Sequence, residues 1–101
     1  MGQRIGFEPD RHRFGVIVFS RMGAQLQRLS EALETALKAR VTHRRKGWFG
    51  PKSHVLHFHQ QDAGLTTSKA GDAELDISSM DDETRETLLE MLHQAEDFDR
   101  I

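Results

Sequence analysis

No cysteine and no tyrosine occur in this chain of 101 residues, and it has one tryptophan, two prolines and no long apolar run. Without cysteine there is no disulfide framework, no thiol nucleophile and no cysteine-based zinc site, and a reducing cytoplasm is the expected location. A transmembrane helix needs about 20 largely apolar residues. The longest apolar stretch, Arg13 to Ser20 (RFGVIVFS), is far shorter, and the first residues, MGQRIGFEPDRHR, lack the apolar centre of a secretory signal. Met1-Gly2 opens like a myristoylation site, but position 6 is Gly6 where Ser or Thr is required. No membrane partner is expected.

What is present is polar but foldable: 37% hydrophobic and 30% charged residues, above the hydrophobicity at which chains stay disordered. The length suits one domain with a thin core. The net charge of −2 hides an asymmetry. Residues 1–61 carry eleven Lys or Arg against four Asp or Glu, whereas residues 62–101 carry three against twelve. Opposite halves of this kind either neutralise each other across one fold or mark two interaction surfaces.

Residues 1–12, with two glycines, a proline and mixed charges, read as a flexible arm with a turn near Glu8-Pro9-Asp10, so the domain is placed at 13–101. Arg13 to Ser20 is rich in β-branched and aromatic residues and reads as the central strand, with Gly15 marking a close backbone approach. Ser20 is placed to cap a helix over 22–39, whose Met22, Leu26, Leu29, Leu33, Ala36 and Leu37 recur at helical spacing, with Glu34 and Lys38 an i, i+4 pair. From Val41 the period becomes two. A hairpin is expected with strands at 41–49 and 54–60 and a turn at 50–53. Residues 62–72 read as a loop, and 73–77 as a short fourth strand. Ser79 then opens a capping sequence for a helix reaching Phe98, with Leu88, Met91, Leu92, Ala95 and Phe98 on its buried face. The fold class is α+β, in the order β-α-β-β-(β)-α: a two-layer sandwich of a small, mostly antiparallel sheet with both helices on one face.

Two surfaces compete for function. Along the last helix Asp82, Glu83, Glu86, Glu90, Glu96 and Asp97 form an acidic face that suits a basic protein surface. The hairpin gathers Arg40, Arg44, Arg45, Lys46, Trp48, Phe49, Lys52 and His54, cations beside aromatic faces, a pattern found where single strands or RNA bind. On that hairpin His54 or His57, near Arg44 and Arg45, supplies the groups of a metal-independent ribonuclease. His57 and His59 share one face of the return strand, but a catalytic zinc needs a third ligand and the strand holds no acid, so neither metal nor cofactor is expected. No catalytic signature specific enough to name a reaction occurs. The sequence therefore favours a non-enzymatic regulatory or inhibitory protein that engages a protein partner through its acidic helix, with an RNA- or DNA-binding module, or nuclease, as the alternative.

Overall fold

The computed structural model describes residues 4–45 and 52–101, and for Arg44, Arg45, Lys52 and Ser53 the backbone alone. Seven strands and two helices occur among the described residues, in the order β1 (Ile5–Pro9), β2 (Val16–Phe19), α1 (Leu26–Leu37), β3 (Arg40–Arg45), β4 (Lys52–Phe58), β5 (Gln61–Thr67), β6 (Ala73–Asp76), α2 (Asp82–Gln94) and β7 (Phe98–Arg100). All strands join one sheet, ordered β3-β4-β5-β6-β2-β1-β7. The β1–β7 pair is parallel and every other neighbouring pair is antiparallel. The α+β class and mostly antiparallel sheet match the sequence reading, but the sheet is larger than the three or four strands expected.

Strand alternation sorts the sheet into two faces. One row runs Ile17, Leu75, Leu65, His54 and His43 across five strands, and its first four members are buried. The neighbouring row, Val16, Asp76, Gly64, Val55 and Thr42, points the other way, and all of it is half-buried or exposed. Leu29, Leu33 and Leu37 of α1 and Leu88 and Leu92 of α2 join the buried row in one hydrophobic cluster. Phe7, Phe19 and Phe98 close its far end, with ring centroids 5.7–6.4 Å apart and edge-on or tilted, the geometry preferred by aromatic quadrupoles.

Several local expectations are corrected. The stretch read as an arm contains β1, whose Ile5 and Phe7 are buried. Strand β2 is shorter than Arg13 to Ser20, and it lies beside the central position, which β6 occupies. Helix α1 starts at Leu26 with Gln25 as its N-cap, not at Ser20. The intervening chain is tied to the β5–β6 connection instead. The Gly23 N–H donates to the Gly71 carbonyl (2.9 Å), the Thr67 hydroxyl to the Gly23 carbonyl (2.8 Å), and the Arg21 N–H to Asp72 (2.8 Å). A Cβ on Gly23 would meet the Gly71 oxygen at 2.7 Å, so only glycine permits this approach. At the other end Lys38 takes a left-handed conformation and closes α1, while Glu34 accepts the Val41 N–H (2.9 Å). Glu34 thus ties α1 to β3.

Gly15 behaves as the sequence suggested. Its φ is +76°, a Cβ would lie 2.6 Å from the Ser78 Cα, and its carbonyl accepts the Ile77 N–H (2.7 Å). A β3–β4 hairpin is present, with Arg40 opposite His57 and Arg45 opposite Lys52, but its return strand runs from Lys52 to Phe58 and not over 54–60, so Lys52 and Ser53 of the expected turn are strand residues; residues 46–51 lie outside the described residues. Residues 62–72 contain most of β5 rather than a loop. A two-residue turn, His59-Gln60, joins β4 to β5, and both residues have positive φ (50° and 63°).

That turn generates a stability prediction. A left-handed conformation costs an L residue roughly 1–2 kcal/mol, more than the roughly 0.5–1 kcal/mol entropic penalty of glycine. Gln60→Gly should therefore stabilise the fold by about 0.5–1 kcal/mol, read as a raised urea midpoint at unchanged slope. A lowered midpoint would show that Gln60 is not held at positive φ.

Candidate functional site

Helix α2 is held by its first turn. Asp81, not Ser79, is the N-cap: its carboxylate accepts the Thr84 N–H (2.8 Å) and a Gln61 side-chain N–H (3.1 Å). Gln61 reciprocates by accepting the Asp81 N–H (2.9 Å), and it also donates to the Thr84 hydroxyl (2.8 Å). The Ser79 hydroxyl donates to the Asp62 carbonyl (3.2 Å) instead. Donation from Thr84, first by its hydroxyl and then by its N–H, with lesser help from Gln61 and Arg85, holds the Asp81 carboxyl below its ordinary value. Asp82 and Glu83 sit in the same turn, where the helix dipole favours negative charge.

The acidic face is shorter than expected. Asp82, Glu83, Glu86 and Glu90 lie on α2 and are exposed, but the helix ends at Gln94, and Ala95 is already extended. Glu96 and Asp97 belong to the turn that leads into β7 and are exposed there. Phe98, expected on the helix, is a buried strand residue. Among the described residues Glu83, Glu86 and Glu90 make no ion pair, so their field is uncompensated locally.

Beside this face lies a cleft of about 440 Å³ between α2 and the β1–β2 connection, within the size range of ligand sites. Ile17 and Ile77 supply apolar surface, Asp82, Arg85, Glu86 and Leu89 line it from α2, and Pro9, Asp10 and Phe14 from the β1–β2 side. Phe14 is 77% exposed. The Arg85 guanidinium lies 4.6 Å from the centre of its ring and is itself held by Asp82 and the Met80 carbonyl. Asp10 shapes the opposite lip by accepting the N–H groups of His12 (2.7 Å) and Arg13 (3.1 Å). The His12 N–H and then the Arg13 guanidinium lower the Asp10 pKa. Arg13 is also paired with Glu74, and both carboxylates raise its already high pKa. The cations nearest the cleft are thus already engaged, while acids rim it.

The basic hairpin residues are distributed differently. Arg40 is exposed, opposite His57, on the sheet face that does not carry the buried row. Arg44, Arg45 and Lys52 are in the β3–β4 ladder, and Lys46, Trp48 and Phe49 lie outside the described residues. His54 faces the core, 5% exposed, with its ring 4.2 Å from that of His43; it is not a surface contact for nucleic acid. His59 is in the β4–β5 turn, stacked on Phe58, so it does not share a strand face with His57. Among the described residues no group of three His, Asp or Glu side chains is arranged to hold a metal.

His57 has partners that the sequence reading missed. Its Nε2 is 2.8 Å from the Thr42 hydroxyl and its Nδ1 is 2.7 Å from an Asp62 carboxylate oxygen. The three side chains come from β3, β4 and β5, and Asp62 is the register partner of His57. Recognising His59-Gln60 as a two-residue turn would have revealed that pairing. Phe14 falls within the stretch that the sequence reads as the central strand, and no sequence signal separates it from one. Compared with protein-family models, curated proteins and solved structures, the chain matches none of them.

The Asp81 cap predicts an acid-side pH dependence. Because its pKa is depressed in the fold, it contributes stability that is present above the unfolded value, about 3.9, and lost as pH falls through the folded value. Asp81→Asn keeps an N-cap acceptor but removes the titration. The decline in urea midpoint below the ordinary aspartate pKa should therefore be shallower in Asp81→Asn than in the wild type, and equal slopes would refute the assignment.

Proposed function

We propose that this chain is a small regulatory or inhibitory binding protein, a two-layer sandwich with both helices on one face, that docks a protein partner in the cleft between Phe14 and α2. The observation that carries the reading is the exposed Phe14 at the lip of an apolar-floored cleft whose rim holds Asp10, Asp82 and Glu86. An aromatic anchor in a desolvated pocket is where binding energy concentrates in protein interfaces; of the rim acids Asp10 and Asp82 are paired with Arg13 and Arg85, so Glu86 supplies the unpaired charge that steers a basic partner. The occupant that fits is a segment with one large apolar residue flanked by Lys or Arg. Its apolar side chain would lie on Ile17 and Ile77, and its cations would meet Glu86 and the neighbouring Glu83 and Glu90. Glu96 and Asp97, beyond the helix, are left out of this surface. We infer cytoplasmic action, in keeping with the absence of cysteine.

A random peptide display selection against the protein tests this directly. It should return sequences with an apolar residue between basic ones, and both Phe14→Ser and Glu86→Lys should weaken the selected peptides at least tenfold, or about 1.4 kcal/mol. Peptides insensitive to both substitutions would overturn the cleft as the docking site. The nucleic-acid alternative makes the opposite demand. Micromolar binding of a labelled RNA near physiological salt, abolished by reversing Arg40, Arg44 and Arg45, would replace this reading with a basic-hairpin module.

A further inference from the structure

The sheet face that does not carry the buried row holds an arrangement that a docking protein does not need. Thr42, His57 and Asp62 stand on three adjacent strands, hydroxyl to imidazole at 2.8 Å and imidazole to carboxylate at 2.7 Å. With Asp62 accepting from Nδ1–H, the imidazole leaves Nε2 as acceptor for the Thr42 hydroxyl. That is the order of groups in which a hydroxyl is activated as a nucleophile: base on the hydroxyl, carboxylate on the base. Their placement on paired strands fixes the spacing more firmly than loops would.

The surroundings indicate what would be attacked. Val55, opposite Thr42 and half-buried, offers an apolar floor, and beyond it Gly64 leaves open space, with no atom within 4 Å of where a Cβ would be. Arg40, exposed and opposite His57, flanks the hydroxyl with a fixed positive charge. We propose that Thr42, His57 and Asp62 form an acyl-transfer site for small esters that bear a second, anionic group. The ester carbonyl would sit over Val55 and Gly64, and its carboxylate would meet Arg40.

The step balances with the groups named. Thr42 Oγ1 forms a bond to the ester carbonyl carbon as its proton passes to His57 Nε2. The ester C–O bond then breaks, and the imidazolium returns that proton to the departing alkoxide. Water, deprotonated by the same nitrogen, next attacks the acyl-threonine and releases the acid and the free hydroxyl. His57 and Thr42 are the catalytic residues, and Asp62 is a positioning residue that fixes the ring.

The test uses para-nitrophenyl hemisuccinate as the anionic ester and para-nitrophenyl acetate as its neutral control. With the wild type we expect a burst of nitrophenolate and a succinyl group on the peptide that contains Thr42. Thr42→Val should lose the label and Thr42→Ser retain it. His57→Gln should slow labelling by roughly a hundred- to ten-thousand-fold. Asp62→Asn should slow it too and Asp62→Glu should restore most of the rate, because the ring needs a carboxylate on Nδ1 and not just any polar contact. Arg40→Gln should abolish the preference for hemisuccinate over acetate. Unchanged melting midpoints confirm that each variant is folded. No label on Thr42, label on lysines alone, or a Thr42 rate insensitive to His57→Gln would overturn the proposal and leave the contact as a cross-strand polar pairing. The site lies on a different face from the Phe14 cleft, so either reading can fail while the other stands.

Discussion

The register of β5 against β4 is the constraint on which most of the structure rests. The His59-Gln60 turn pairs Phe58 with Gln61 and His57 with Asp62, and because side chains alternate, a slip of one residue would exchange the two faces. Ala63 and Leu65 would leave the core. Gln61 would lose the N-terminus of α2, where it meets Asp81 and Thr84, and that contact sets the helix that walls the cleft. His57 would lose Asp62. One local conformation thus couples the core, the last helix and both candidate sites. It is held against its own backbone preference, with His59 stacked on Phe58 beside it.

The charge asymmetry of the sequence becomes a spatial separation. The β3–β4 hairpin forms one edge of the sheet, while most acids of the second half are placed on α2, on β6 and in the turn before β7, with Asp62 on β5 beside the hairpin as an exception. Partial neutralisation does occur, since Arg13 spans Asp10 and Glu74, and Arg85 holds Asp82. It stops short of Glu83, Glu86 and Glu90. Exposed ion pairs contribute little to stability in any case, so the burial of the phenylalanine cluster and the helix leucines carries the fold.

Elements with strong periodicity were legible from sequence: the leucine stripe of α1, the alternating hairpin around Leu56 and Phe58, and the buried side of α2. Strand β5 was not. Gln61–Thr67 offers only Ala63 and Leu65 as apolar residues, and its turn lacks the Asn-Gly or Asp-Gly pair that usually announces a two-residue hairpin. Phe98 continued the helical spacing of Leu88, Met91, Leu92 and Ala95, so its burial was foreseen but not its strand. Ser79 and Asp81 both suit a cap, and Gln61, twenty positions away, holds Asp81 in that place. The same distance problem hid the sites. Asp82 and Glu86 were visible as acids, but Phe14 became part of a cleft only once β1 and α2 were packed, and Thr42 met His57 only through the register.

We propose the Phe14 cleft, rather than the basic edge, as the docking surface. It is tested most directly by adding a selected basic-apolar peptide to isotope-labelled protein and following the backbone amide resonances. Shifts should be confined to the end of the β1–β2 connection and the start of β2, Phe14 to Ile17, and to α2 from Asp82 to Glu90, with β3 and β4 unchanged. Shifts centred on Arg40 to Arg45 and on β4, with α2 silent, would contradict it.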